Sequence, residues 1–134
     1  VDITKDPRFV SETMPVTIGA PLRDFNPQGP RMRITNNMAN SYPVECVYQA
    51  LKDANLNLAN DQSMANSTGL IVGASLSGVE DFIKTVTKVA AKGYNYLDRL
   101  IMLKILNNIP ASNIAQNFNI YGFTSTVSGA CATG

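Results

Sequence analysis

The chain contains no histidine and no tryptophan. Without an imidazole it cannot by itself build a cysteine–histidine or serine–histidine pair. Metal sites that use histidine are excluded as well. Two cysteines, Cys46 and Cys131, are too few for a four-cysteine zinc site. They make no disulfide framework either, so a reducing compartment is expected. No charge of one sign dominates: 11 Lys+Arg face 10 Asp+Glu, a net charge of +1. That balance argues against a protein that coats nucleic acid or binds a membrane surface through a polybasic patch. Long apolar runs are missing too. Leu100–Leu103 is broken by Lys104, and nothing approaches the roughly 18 residues needed to span a bilayer. The opening Val1-Asp2-Ile3-Thr4-Lys5-Asp6 lacks the apolar segment of a signal peptide.

What is present fits one ordinary domain. There are 134 residues, and 45% of them are apolar, enough for a core and too many for a disordered tail. No internal repeat is visible. The 14 asparagines are scattered and read as compositional drift rather than function.

Residues 1–35 read mostly as loop or extended chain. Pro7, Pro15, Pro21, Pro27 and Pro30 fall there, with room for one short strand at Val16-Thr17-Ile18. Helical patterning begins near Asn36. Val44, Val47, Tyr48 and Leu51 share one face. Pro43 implies that this helix either starts near Ser41, which would cap it, or kinks. Residues 55–67 read as a polar connection. Gly69-Leu70-Ile71-Val72-Gly73-Ala74 suits a strand buried on both faces. Val79, Phe82, Ile83, Val86 and Val89-Ala90 repeat with helical spacing, and Gly93 ends the segment. Tyr96 to Leu106 and Ile109 to Phe118 are two further helical stretches, with Pro110 in the first turn of the second. Phe123 to Ser128 alternates like a strand. The order is an α/β pattern.

Cys131 carries the chemistry. It follows the last strand and is flanked by Gly129, Ala130, Ala132, Thr133 and Gly134. Small neighbours let the backbone turn sharply and let a substrate carbonyl come close. A helix following this turn would favour the thiolate through its N-terminal dipole. The Cys131 amide is a candidate oxyanion donor. The alternative is a buried structural cysteine in a glycine turn. Cys46, inside the first helix, reads as a small, partly buried hydrophobe. Gly73-Ala-Ser-Leu-Ser-Gly78 lacks the spacing of a phosphate loop and reads as a turn. Arg31 and Arg33 are either simply solvated or dock an anion.

Ser128-Gly-Ala-Cys-Ala-Thr-Gly134 resembles the active-site segment of the β-ketoacyl-acyl-carrier-protein synthases, condensing enzymes of the thiolase superfamily. That family typically reads S/T-A-C-A/T-S/T-G around its cysteine. Asn108-Ile-Pro-Ala-Ser-Asn113 and Phe118-Asn-Ile-Tyr-Gly122 resemble its N-M-x-A-G helix and F-G-L-x-G-P turn, with Ser112 for Gly and Phe123 for Pro. Leu70-Ile-Val-Gly-Ala-Ser-Leu-Ser-Gly78 is similar to its strand and turn V-G-x-x-x-G-S-G-x-G-G. Gln49-Ala-Leu-Lys-Asp-Ala-Asn-Leu56 matches A-L-x-D-A-G-L, with Asn55 for Gly. Arg23, before Asp24-Phe25-Asn26, fits a further segment. The resemblance covers roughly residues 20–134.

The resemblance implies part of a thiolase-like layered α/β/α fold, namely the N-terminal half of a ketosynthase domain, incomplete at both ends. Residues 1–35 would be mostly loop and 36–134 would carry the helices and central strands. It implies that Cys131 takes an acyl group from acyl-carrier protein, for decarboxylative condensation with a malonyl-thioester in fatty-acid or polyketide synthesis. No cofactor or metal would be bound directly, since the substrate arrives on the phosphopantetheine of the carrier. Leu76 aligns with a position that limits the acyl pocket. Ile101 and Met102 align with residues that reach the partner subunit's pocket in a homodimer. Arg31 and Arg33 fall near the basic patch that docks the carrier protein. The family supplies two histidines and a lysine from its second half, so the expectation is one segment of a larger enzyme, inactive and unstable alone. The implied partners are acyl-carrier protein, the rest of the ketosynthase and a homodimer mate or larger synthase complex, with no nucleic acid and no membrane span. The implied location is the cytoplasm or an organelle matrix. The alternative reading is a non-catalytic ketosynthase-like partner or structural remnant.

Overall fold

A computed structural model of the chain describes residues 15–22, 24–30 and 37–133. Arg23, Arg31 and Arg33 lie outside the described residues. Residues 15–22 and 24–30 form no helix, and Ile18 is an isolated bridge residue.

Helix α1 spans Met38–Asp53. It starts ahead of Ser41 because Asn37 caps it, with the side-chain oxygen accepting from the Asn40 amide at 3.2 Å. Pro43 lies inside the helix rather than at its start. Glu45, on the same helix, holds the preceding loop. One carboxylate oxygen accepts from the amides of Gln28 at 2.9 Å and Gly29 at 2.8 Å, and the other accepts from the Gln49 side chain at 2.7 Å. Gly29 must be glycine here, because a Cβ would stand 2.9 Å from Tyr48 Cβ.

The polar connection is more ordered than its composition suggests. A 3-10 turn, Leu58–Asn60, and a short helix α2, Gln62–Ser67, occupy it. Single apolar anchors explain the difference, since Leu58 and Ala65 are both buried in the core. Asn57 and Asp61 supply the caps, each accepting from a backbone amide.

Strand β1 is Leu70–Gly73 and strand β2 is Thr124–Val127. They pair in parallel, Leu70 opposite Thr124 and Gly73 opposite Val127. Between them run α3, Val79–Lys92; a 3-10 turn, Tyr94–Tyr96; α4, Met102–Ile105; and α5, Ile109–Phe118. The expected helix over 96–106 is reduced to α4. Asp98 breaks it by accepting from the Leu100 amide at 2.9 Å and pairing with Lys104, which starts a new turn beyond Leu97.

The core is Val44, Leu58, Ala65, Ile114 and Ile120, with Leu70, Val72 and Phe118 packed on it. Leu70 and Val72 therefore face this core, on the side where α5 packs against the strands. Alternation along the strand turns Ile71 to the other side, where it is 67% exposed. The expectation of a strand buried on both faces is met on one face only, because no described element covers the other. Helix α3 likewise has no buried residue, although Val79, Phe82, Ile83 and Val86 follow the expected spacing.

Two close backbone approaches level the sheet. A Cβ on Gly122 would lie 2.4 Å from the Thr68 carbonyl oxygen, so the entries to the two strands are pressed together. At the other end the Ala74 amide donates to the Val127 carbonyl at 3.0 Å.

Candidate active site

Both strands end at the same edge, and in open parallel sheets that edge is where ligands are bound. Beyond β2 the chain closes into a single 3-10 turn, Ala130–Ala132, with Cys131 at its centre. Cys131 is exposed in this chain. Cys46 is exposed as well, on the solvent side of α1, so the partly buried placement expected for it is corrected. Val44 and Val47 point inward on that helix and leave position 46 outside.

The turn is sharp because Ala130 adopts φ 49, a left-handed conformation that costs a residue with a Cβ about 1 kcal/mol or more. Backbone bonds from Ala132 to Gly129 at 2.9 Å and from Thr133 to Ala130 at 3.2 Å define it. The Thr133 hydroxyl adds two more. It accepts from the Gly129 amide at 2.9 Å and donates to the Ala130 carbonyl at 2.7 Å. Thr133 also lies over the end of β1, where a Cβ on Gly73 would come within 2.8 Å of its Cγ2. Thr133 did not stand out in the sequence. The signal was a threonine three and four residues after the groups it binds, a spacing at which hydroxyls bond back to the main chain.

Leu76 sits in the turn after β1, at the same sheet edge as Cys131, and is 77% exposed. Ile101 and Met102 stand at the start of α4 and are half-buried and exposed, respectively. The far end of α4 meets the Leu76 turn, because a Cβ on Gly78 would fall 2.0 Å from the Lys104 carbonyl oxygen. The structure thus brings Leu76 to the edge that carries Cys131, and sets Ile101 and Met102 on the helix that supports the Leu76 turn. A cleft of about 330 Å³ is lined by Tyr48, Leu51 and Phe118 among others, and one of about 500 Å³ by Lys84, Lys88 and Tyr96 among others. Neither has Cys131 in its wall. Among the described residues no group of three or more His, Cys, Asp or Glu is placed to hold a metal ion. No helix there is long and apolar enough to cross a membrane.

The family profile of the beta-ketoacyl synthase N-terminal domain matches residues 7–134. The chain belongs to the beta-ketoacyl synthase family. A 3-oxoacyl-[acyl-carrier-protein] synthase homolog of Saccharomyces cerevisiae is 30% identical to this ketosynthase chain over 93 residues, covering 65% of the chain and 21% of the relative. The crystal structure of a beta-ketoacyl synthase from Burkholderia phymatum aligns with a TM-score of 0.58 at 22% identity, over 73% of this chain and 24% of that one. This second likeness supports the thiolase-like α/β fold, to which the helices and the parallel pair conform. The ketosynthase chain spans about a fifth to a quarter of the length of these two proteins.

Proposed function

We propose that this chain carries the nucleophile of a condensing enzyme and that the nucleophile is Cys131. One observation supports the reading most: in a chain of this family, an exposed thiol stands in a strained turn just past the end of a parallel strand. In the proposed first step the Cys131 sulfur, as thiolate, attacks the carbonyl carbon of an acyl-thioester on acyl-carrier protein. A tetrahedral oxyanion forms, with the Cys131 amide as one donor. Its collapse breaks the bond to the carrier sulfur, which leaves as the thiol with a proton. In the second step a malonyl-thioester loses carbon dioxide. The electron pair left on its carbon attacks the Cys131 thioester, releases the Cys131 thiolate and yields a 3-oxoacyl-thioester two carbons longer. By the family resemblance, the acid–base steps of decarboxylation are proposed to fall to histidines of the ketosynthase's second half.

Leu76 is proposed to limit the acyl pocket. Ile101 and Met102 are proposed to reach the pocket of a homodimer mate, and Arg31 and Arg33 to meet the acidic carrier protein. No directly bound cofactor is needed, because phosphopantetheine enters with the substrate.

Intact-mass and peptide spectrometry after incubation of the complete enzyme that contains this chain with an acyl-thioester test the reading. The expected result is one acyl adduct on Cys131 that is absent from Cys131→Ala. A folded protein with no adduct at Cys131 overturns it and favours the non-catalytic relative.

A further inference from the structure

We propose that Thr133 is a positioning residue for Cys131. Its hydroxyl fixes the direction of the Cys131 amide, and its methyl group seats the turn on Gly73. The proposal rests on Cys131 being the nucleophile.

The Ala130 carbonyl and the Cys131 N–H belong to one peptide unit. That unit is planar and trans, so the two groups point in opposite directions and neither rotates without the other. Whatever grips the Ala130 carbonyl therefore aims the Cys131 N–H. Thr133 grips it twice, through its hydroxyl at 2.7 Å and its own amide at 3.2 Å. The same hydroxyl takes the Gly129 amide at 2.9 Å. One side chain thus ties the Ser128–Gly129 peptide group to the Ala130–Cys131 peptide group, and the two span Gly129 and Ala130, the residue held at φ 49. A left-handed alanine persists only where its surroundings over-determine it. Remove the hydroxyl, and one grip on the carbonyl and the bond to Gly129 go together. Ala130 is then free to relax to negative φ and swing the Cys131 N–H away.

The second contact sets the depth of the turn. Thr133 Cγ2 and its carbonyl oxygen lie where a Cβ on Gly73 would be, at 2.8 and 3.1 Å. Gly73 is the last residue of β1 and pairs with Val127. The turn is thereby referenced to both strands rather than to β2 alone.

Two substitutions separate these contributions in the complete enzyme that contains this chain. Thr133→Val keeps the branched shape over Gly73 and removes the hydroxyl. Thr133→Ser keeps the hydroxyl and removes the methyl. Two reactions read them out. Acylation by octanoyl-N-acetylcysteamine builds an oxyanion at the attacked carbon, so it depends on the amide direction. Alkylation by iodoacetamide is a direct displacement at carbon and builds none. Exposed Cys46 serves as an internal reference in the same molecule.

The expected result is that Thr133→Val acylates Cys131 at least about ten-fold more slowly at saturating thioester. Its half-saturation concentration and its iodoacetamide rates at Cys131 and Cys46 should stay within about two-fold of the parent. Thr133→Ser should acylate within about three-fold of the parent. Parent-like acylation by Thr133→Val overturns the proposal. So does an equal fall in acylation and alkylation at Cys131, which would mean a general loss of structure. If Thr133→Val does not fold, Thr133→Ala removes the hydroxyl in its place and is judged by the same outcomes. If the parent itself is not acylated at Cys131, the nucleophile reading fails first and this proposal falls with it.

Discussion

Asn37 donates its side-chain amide to the Asp81 carboxylate, 44 positions downstream, at 2.9 Å. The same amide reaches the Lys104 carbonyl at 3.3 Å, while the side-chain oxygen caps α1. One residue therefore joins the start of α1, the first turn of α3 and the end of α4. Asn37→Ala removes the cap and both ties, and is expected to lower stability by about 1–3 kcal/mol. Asn37→Asp keeps the cap oxygen but sets two carboxylates side by side, so it too should lose stability. Urea midpoints of the three proteins check this, and a parent-like Asn37→Ala would contradict it.

Glu45 makes stability depend on pH at the acid end. The bond from Gln49 is the main cause that holds its carboxyl below its ordinary value of 4.5, and the amides of Gly29 and Gln28 add to it. Its folded pKa is depressed, so the contribution is fully present above pH 4.5 and is lost as the pH falls through the lower folded value. Glu45→Gln should be the less stable protein at neutral pH, with a shallower decline on acidification. Thermal midpoints taken between pH 7 and pH 3 check the slope. Parallel curves for the two proteins would remove Glu45 from the acid limb.

Gly122→Ala is expected to cost about 1–3 kcal/mol, because the added Cβ meets the Thr68 carbonyl at 2.4 Å and main chain must move on both sides. Gly93→Ala is the useful contrast. Its Cβ would meet nothing within 4 Å, so only the strain of φ 90 is added. Denaturant midpoints should therefore fall further for Gly122→Ala.

Leu76→Ala, if Leu76 limits the acyl pocket, should move the products of the complete enzyme towards longer chains, with acylation of Cys131 by short thioesters little changed. Chromatography of the released acyl chains reads this. An unaltered chain-length distribution would take Leu76 out of the pocket.

Much of this arrangement was legible from spacing. The stripe of Val44, Val47, Tyr48 and Leu51 marks α1, and the apolar run before Gly73 marks β1, because both signals are local. Helix α2 escaped, because its hold on the core is one alanine and periodicity needs several apolar positions. The break at Asp98 escaped because an aspartate that bonds two residues ahead overrides an apolar pattern. Four asparagines depart from the reading of compositional drift. Asn37 and Asn57 are caps, and Asn55 and Asn119 take left-handed turns, so these four mark the ends of elements. At the site, the small residues around Cys131 announced a tight turn. The exposure of Cys46 was implicit in the stripe, since position 46 lies on the face opposite Val44, Val47, Tyr48 and Leu51. The brace from Thr133 depends on which way a side chain points, and no spacing in the chain encodes that.

Leu76 is held by its neighbours rather than by itself. Asn107 donates to the Ser75 carbonyl at 3.0 Å just before it, and Gly78 is wedged against the Lys104 backbone just after it. Both anchors belong to the α4–α5 segment. The leucine thus occupies a fixed address, and swapping its side chain changes the size of the tenant without moving the house.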